Sequence, residues 1–295
     1  MLKNEEEKIR TAALRALGNL GNGADVPLLA RSAAAGSDWE KAAARQSLIR
    51  LRGDGVNAAI VAALAKGKPD ERIALLAALG ARHAVETAPT VLQYAEDSHA
   101  AVRLAAIGAL RFLAGENHAA AVVKILKAAK DDKEQTAVES ALLAICGRGR
   151  EACADQLVAG LENVDPPARI VLLHALGRAG GAKAMEAVVG RLKDQDETVC
   201  DEAVRTLSLW PDRAAVPHLL TLAKEAEKSQ HHVLSVRGLV RLASAQKDRA
   251  ADLGTLSAAM SCAKRPEEKR LVLGVLGGIA APEALALVVS ALDDP

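Results

Sequence analysis

A leucine or isoleucine returns along this chain at a nearly constant spacing. The residues that recur 31 positions apart are Leu17, Leu48, Leu79 and Leu110, and then Ile145, Leu176 and Leu207. An insertion of four residues separates the two series. The spacing is one residue longer before Leu239 and six residues longer before Leu276. We call this the reference position. Self-similarity at a period of about 20–50 residues is typical of chains that stack one small structural unit on the next.

Each repeat has the pattern of two helices. In the first repeat, apolar residues recur at helical spacing, namely Ile9, Ala12, Ala13, Ala16, Leu17 and Leu20. Gly21 and Gly23 follow and predict the end of this helix. A second helix is predicted next, with Pro27 inside its first turn, where a missing N–H costs little. Pro89 and Pro217 hold the same place in later repeats, and Ser37 is typical of a cap for the next unit.

The repeats predict an all-α fold, a right-handed α-solenoid of about nine helix pairs that forms a single array over residues 1–295. The predicted pairs are 5–36, 37–67, 68–97, 98–131, 132–164, 165–194, 195–226, 227–263 and 264–295. The six surplus residues of the eighth pair are assigned to the turn at residues 244–250. Only two Trp, one Tyr and one Phe occur, so small aliphatic residues must fill the core, as closely packed helices allow.

Composition argues against several classes of protein. The 38 Lys and Arg balance 37 Asp and Glu, for a net charge of +1, whereas a dedicated nucleic-acid binder normally carries a basic surplus. No apolar run approaches the roughly 18–20 residues that span a bilayer, and the N-terminus has no secretory apolar segment. We therefore expect no nucleic acid, no membrane span and a cytoplasmic location. The four cysteines, Cys146, Cys153, Cys200 and Cys262, lack zinc-site spacing and are expected to be buried core residues in a reducing compartment.

A basic residue lies seven positions before the reference position in six of the nine repeats. These cations are Arg10, Lys41, Arg72, Arg103, Arg169 and Lys269, and the exceptions are Val138, Cys200 and His232. The six could form an anion-binding row, or each could pair with an aspartate of the nearby turn between repeats. The candidate turn aspartates are Asp38, Asp70, Asp97, Asp165 and Asp196. The matching acids and the neutral total charge favour the second interpretation, an internal ion-pair ladder with a structural role.

The repeated segments resemble a known family. Residues 10–21 (RTAALRALGNLG), 101–106 (AVRLAA) and 170–180 (IVLLHALGRAG) are similar to the short HEAT repeats of bacteria, a type named after the phycobilisome lyases. The resemblance covers essentially the whole chain. It implies that first helices form a convex side and second helices a concave side. It also implies that such an array can be a segment of a larger multidomain bacterial protein.

The sequence contains no motif that identifies an enzyme. Di-iron hydroxylases that resemble this fold carry His-Glu dipeptides, and none of the seven histidines is followed by glutamate. His231 and His232 point about 100° apart on a helix and are interpreted as a solvated helix start. We therefore expect no catalytic residue, no metal site and no cofactor. The alternative that the repeat type leaves open is an accessory or lyase-like factor for attaching a tetrapyrrole (bilin), for which no constellation of residues stands out.

The favoured function is a non-enzymatic scaffold for contact with a protein partner. If second helices line a groove, its exposed positions include Gln93, Tyr94, Lys124 and Lys127, and interface hot spots favour tyrosine. These four residues are the predicted contact surface, with solvated positions and a packing tyrosine as the alternative. Trp39 and Trp210 are expected to fill gaps between repeats. The apolar last helix, residues 282–292, indicates further repeats or a domain at the C-terminus, or an end that pairs with something.

Overall fold

A computed structural model describes residues 6–245 and 252–292, and all regular secondary structure in that part of the chain is helical. Its eighteen α-helices alternate between first and second helices of successive pairs. Short 3₁₀ turns precede five of the second helices, at Gly23–Asp25, Val85–Thr87, Glu116–His118, Arg150–Cys153 and Arg213–Ala215. The all-α solenoid class is confirmed. The six surplus residues of the eighth pair were predicted at 244–250, and residues 246–251 lie outside the described residues.

The chain divides into two compact units, residues 1–149 and 150–295. In the first unit, the first helices are α1 (Glu7–Leu20), α3 (Asp38–Arg50), α5 (Pro69–Ala81), α7 (Ala100–Leu113) and α9 (Asp132–Gly149). The second helices are α2 (Val26–Ala35), α4 (Val56–Lys66), α6 (Ala88–Tyr94) and α8 (Ala119–Lys127). Successive first helices pack on one another, and each second helix packs on the first helix that follows it.

The second unit repeats this arrangement. It contains α10 (Ala154–Gly160), α11 (Pro166–Ala179), α12 (Ala182–Gly190), α13 (Glu197–Ser208), α14 (Val216–Glu225), α15 (Ser229–Ser244), α16 (Leu253–Cys262), α17 (Pro266–Leu276) and α18 (Pro282–Ser290). The helices α11, α13, α15 and α17 pack in order, and so do α14, α16 and α18. The boundary between the two units falls inside the fifth predicted pair, so a single continuous array with the pair limits given above stays a prediction.

The reference position supplies the core. It is 0 % exposed at Leu48, Leu79, Leu110, Ile145, Leu176, Leu207 and Leu239, and 1 % exposed at Leu276. Leu17 differs, because it is only partly buried. Full burial of a leucine contributes about 1.5–3 kcal/mol relative to leaving it exposed. The reference position therefore supplies a buried aliphatic side chain to the core in eight of the nine repeats.

Local signals in the sequence set the helix ends. Helix α1 stops at Leu20, and the Gly21 N–H donates to the carbonyl of Leu17. Ser37 caps α3 in a capping box with Glu40. Pro27 lies in the first turn of α2, as Pro89 and Pro217 do in α6 and α14.

The apolar stripe of α1 is buried only in part. Ile9 is 38 % and Leu20 is 85 % exposed, whereas the buried residues of α1 are Thr11, Leu14 and Gly18. The main packing partner of α1 among the described helices is α3. One neighbour covers one flank of a helix, so the wide stripe inferred from periodicity is buried only in part.

The two tryptophans have different surroundings. Trp210 is 1 % exposed and fills space within the second unit, as predicted, but Trp39 is 68 % exposed. The prediction for Trp39 was wrong because its place in the first turn of α3 directs the ring outward. There it borders a groove on α1 that is lined by Lys8, Ala12 and Arg15.

The last described helix, α18, exposes apolar side chains. Leu285 is 65 %, Val289 is 50 % and Leu292 is 80 % exposed. Further repeats or a domain beyond this helix stay a prediction. Among the described helices, none combines the length and the apolar character that a membrane crossing requires.

Gly18 permits the close approach of α1 to α3, which predicts opposite effects for two glycine substitutions. A Cβ atom at Gly18 would lie 2.7 Å from Ser47 Oγ and 2.9 Å from Ser47 Cα, whereas one at Gly108 in α7 would meet nothing within 4 Å. Gly18→Ala should lower stability by about 1–3 kcal/mol through overpacking. Gly108→Ala should raise it by about 0.5–1 kcal/mol, since glycine is costly inside a helix. Thermal unfolding of both variants measures this, and equal midpoints would contradict the close packing.

Candidate functional site

The ladder cations reach acids that lie in, or just before, the first turn of the next first helix. In two repeats the acid is the third residue of the following first helix. Arg10 Nε lies 2.6 Å from Glu40 Oε1, and Arg103 Nε donates to Glu134 Oε1 at 2.7 Å. The Arg103–Glu134 pair is buried, with side chains 8 % and 4 % exposed.

In two other repeats the acid lies in the turn before the next first helix. Arg72 Nη1 is 3.0 Å from Asp97 Oδ2, and Arg169 Nη1 is 3.2 Å from Asp194 Oδ1. Both guanidinium groups also donate to carbonyl groups near the end of the preceding second helix, those of Leu64 and Val164. A guanidinium satisfies carbonyls that the helix itself leaves without a partner.

The acids of these ion pairs were predicted only in part. Asp97 is the expected turn aspartate, but Glu40, Glu134 and Asp194 take this role in the other repeats. Asp165 and Asp196 have a different role, because their carboxylates accept hydrogen bonds from the first N–H groups of α11 and α13 and so cap these helices.

Two of the three exceptions to the ladder contact a main-chain carbonyl at, or just after, the end of the preceding second helix. His232 Nδ1 lies 2.8 Å from the carbonyl oxygen of Ala223, and its Nε2 lies 3.2 Å from Glu268 Oε2. The Cys200 thiol donates to the carbonyl of Leu192 at 3.0 Å. Two side chains that are not permanent cations therefore bond the preceding turn from this position, which supports a structural role for it. Val138 is a buried apolar residue.

The remaining two cations differ. Lys41 and Lys269 are partly buried on α3 and α17. Lys41 forms no ion pair with any residue in the described ranges.

Sequence reasoning missed a second row of arginines. Arg82 Nη1 donates to the carbonyls of Leu48, Ile49 and Leu51, at 2.7–3.2 Å. Arg148 reaches the carbonyl of Ala114 at 2.6 Å, and Arg241 reaches those of Ser208 and Trp210. Each arginine thus caps the end of the preceding first helix. Desolvation by burial lowers the pKa of Arg82 and of Arg241. The sequence did contain a signal for this row, because all three arginines lie near the end of a predicted first helix, where a cation is favourable.

The two adjacent histidines are not solvated, which corrects that prediction. His231 is 8 % and His232 is 4 % exposed, because both lie on α15 where it packs against neighbouring first helices. They point to different partners, since His231 Nε2 lies 2.7 Å from Asp201 Oδ1 and His232 contacts Glu268. Of the cysteines, Cys146, Cys153 and Cys262 are buried as expected, but Cys200 is only partly buried.

The predicted contact surface lies on α6 and α8, in the first unit. Gln93, Lys124 and Lys127 are exposed, and Tyr94 is partly buried. The guanidinium of Arg72 lies 5.6 Å from the centre of the Tyr94 ring. Arg72 is itself held by Asp97, so the aromatic side of this surface is fixed by the ladder.

An exposed ion pair connects the two helices of this surface. Lys124 Nζ on α8 is 3.2 Å from Glu96 Oε1, in the turn after α6. The two side chains are 77 % and 62 % exposed, and such solvated pairs contribute little stability. Their charges remain accessible to a partner. We use the name α6–α8 surface for Gln93, Tyr94, Glu96, Lys124 and Lys127.

A family model described as HEAT repeats matches residues 57–145 and 154–232, more than half of the chain. The chain belongs to the HEAT-repeat family. No curated protein matches the sequence.

Solved structures share the fold of this HEAT-repeat chain. Kap121p bound to Nup53p matches with a TM-score of 0.59 and 14 % identity over 99 % of this chain. Kap121p bound to Pho4p matches with a TM-score of 0.56 and 14 % identity over 99 %. The match spans 38 % of either Kap121p chain. A likeness at this level of identity concerns the fold alone.

Removal of a buried ladder cation should destabilise the protein. Arg103→Ala leaves the Glu134 carboxylate buried without its counter-charge, which typically costs about 3–5 kcal/mol. We expect a clearly lower unfolding midpoint and an unchanged partner affinity. The matched control is Lys41→Ala, at the same position of another repeat, which should change the midpoint little. Loss of partner affinity at unchanged stability would instead identify the ladder as an anion-binding row.

The Asp97 carboxylate should make stability depend on acid pH. Burial alone would raise the pKa of Asp97, but hydrogen bonds from His99 and the charge of Arg72 outweigh it, so the pKa lies below its usual value. A lowered carboxyl pKa stabilises the folded state above the unfolded pKa of about 4, and this stability is lost as the pH falls through the folded value. Asp97→Asn should therefore lower the unfolding midpoint at pH 7, by a margin that shrinks progressively below about pH 4. A difference in unfolding midpoint between Asp97→Asn and the unchanged protein that does not vary with pH would contradict this prediction.

Proposed function

We propose that this HEAT-repeat chain is a non-enzymatic scaffold that binds a protein partner through the α6–α8 surface. The observation that carries the proposal is the placement of Tyr94. The guanidinium of Arg72 lies 5.6 Å from the centre of the Tyr94 ring. The exposed residues Gln93, Lys124 and Lys127 lie on the same two helices, α6 and α8. An aromatic side chain that is ordered before binding loses less entropy on association.

The charges indicate the kind of partner. Lys124 and Lys127 are exposed lysines on one helix, and only Glu96 of the surface is acidic. A partner segment with one or two carboxylates next to an apolar residue would complement them, since complementary charge steers encounter and fixes register. The Kap121p structures offer an analogy, because Kap121p, on a similar fold, is bound to Nup53p or Pho4p.

The second helices α2 and α4 provide a further groove in the same unit. Small residues line it, among them Ala30, Ala59 and Ala63, and Arg31 and Lys66 stand at its margin. The groove has a volume of about 320 Å³. Its small side chains would let the backbone of a bound segment approach closely.

The proposal also concerns the setting of the chain. We infer that the array serves as a segment of a larger multidomain bacterial protein, in which it holds a partner near other domains. The resemblance of residues 10–21 and 170–180 to short bacterial repeats supports this. A cytoplasmic location belongs to the same proposal.

Site-specific photo-cross-linking tests the contact surface. A photoreactive residue replaces Gln93 in one variant and Lys133, an exposed lysine on the first helix α9, in the control. We expect a cross-linked protein from position 93 and none from position 133. Once that partner is identified, Tyr94→Ala should weaken its binding by at least about fivefold, as the loss of about 1 kcal/mol at a hot spot does. Equal cross-linking at both positions would contradict the proposed surface.

A charge reversal separates binding from folding. Lys124→Glu should reduce the affinity of that partner by about tenfold, because it places like charges together, while the unfolding midpoint changes little. Lys133→Glu is the matched control and should leave the affinity unchanged. A bilin mixed with the protein and its acceptor should give no absorbance shift. A shift would instead favour the lyase-like alternative.

A further inference from the structure

Three potential metal ligands meet between α13 and α15 in the second unit. Cys200 and Asp201 are neighbours on α13, and His231 is the third residue of α15. The thiol sulfur, a carboxylate oxygen and a ring nitrogen all lie within 4.8 Å of one another. The packing of α13 on α15 thus brings together residues that are 30 positions apart in the sequence.

A cation already occupies this cluster. Lys228 Nζ lies 2.7 Å from Asp201 Oδ1, the same oxygen that His231 Nε2 contacts at 2.7 Å. The ammonium group also pairs with Glu197. The hydrogen bond to Asp201, followed by that to Glu197, raises the pKa of Lys228. The protein therefore holds positive charge at the point where these donors converge.

The donor set is specific in its chemistry. Sulfur, imidazole nitrogen and carboxylate oxygen together are the ligands of Zn²⁺ and related ions, whereas Mg²⁺ and Ca²⁺ prefer oxygen alone. His231 is 8 % exposed, so its ring is already fixed by its surroundings. Preorganised ligands reduce the entropy lost when an ion binds.

We propose that Cys200, Asp201 and His231 form a binding site for a zinc-class divalent ion. Binding requires three changes. The Asp201 carboxylate accepts a hydrogen bond from His231 Nε2, so the proton moves from Nε2 to Nδ1 if Nε2 is the nitrogen that binds the ion. The Cys200 thiol gives up the hydrogen bond to Leu192 and releases its proton to solvent, because the thiolate is the ligand. Lys228 leaves Asp201 and retains Glu197, a solvated carboxylate. The ion, the thiolate and the Asp201 carboxylate then balance in charge, and water completes the coordination.

Titration with Co²⁺ followed by Zn²⁺ tests the site. The full chain, stripped with a chelator, should bind one Co²⁺ with the near-ultraviolet charge-transfer band of a thiolate ligand, and Zn²⁺ should abolish that band. Cys200→Ser and His231→Gln should lose the band, whereas Cys262→Ser, a cysteine on α16, should keep it. Absence of a saturable band, or a band that survives Cys200→Ser, would overturn the proposal.

A variant that should bind the ion more tightly excludes loss of folding as the explanation for a lost absorption band. Lys228→Gln removes the competing ammonium and should raise the affinity for Co²⁺ and Zn²⁺ by about tenfold. Ions held at unrelated surface groups would not respond to this change. An unchanged or lower affinity in Lys228→Gln would overturn the assignment of Asp201 as a ligand.

Discussion

Within each unit, the packing of one first helix on the next is the interaction on which the rest of the structure depends. A single aliphatic side chain, at the reference position, is fully buried in eight repeats, from Leu48 to Leu276. Every other feature is placed relative to it, including the turn carbonyls, the ladder cations and the exposed face of the second helices. In a repeat array, each repeat buries its apolar residues against its neighbours, so a described helix pair has no core of its own.

Polar contacts between repeats complement this apolar packing. Two rows of side chains bind main-chain carbonyls, one at the turn after the preceding second helix and one at the end of the preceding first helix. Arg103 and Arg82 represent the two rows. Buried carbonyls without partners are costly, so these arginines allow short helices to end inside a packed stack. The first of these rows also positions the α6–α8 surface, since Arg72 contacts both Asp97 and the Tyr94 ring.

Features encoded within one repeat were predictable, and features that need two repeats were not. Gly21, Ser37 and Pro27 act within a few residues of themselves, so the helix ends followed from the sequence. The exposure of Trp39 and of Leu20 depends on which flank a neighbour covers, which periodicity does not contain. The approach of His231 to Asp201 across 30 residues depends on the register between α13 and α15. The α6–α8 surface also depends on two repeats, because its ion pair joins Lys124 of one repeat to Glu96 of the preceding one.

The arginine caps also limit how such a chain can change its length in evolution. Arg82 serves carbonyls of the pair before its own, and Arg241 does the same in the second unit. Because the acceptors are main-chain carbonyls, which every pair offers, a duplicated or deleted pair keeps this contact only where the first helix placed before the arginine ends in the same register. Repeats that look interchangeable by their leucines must therefore also agree in where their first helices end.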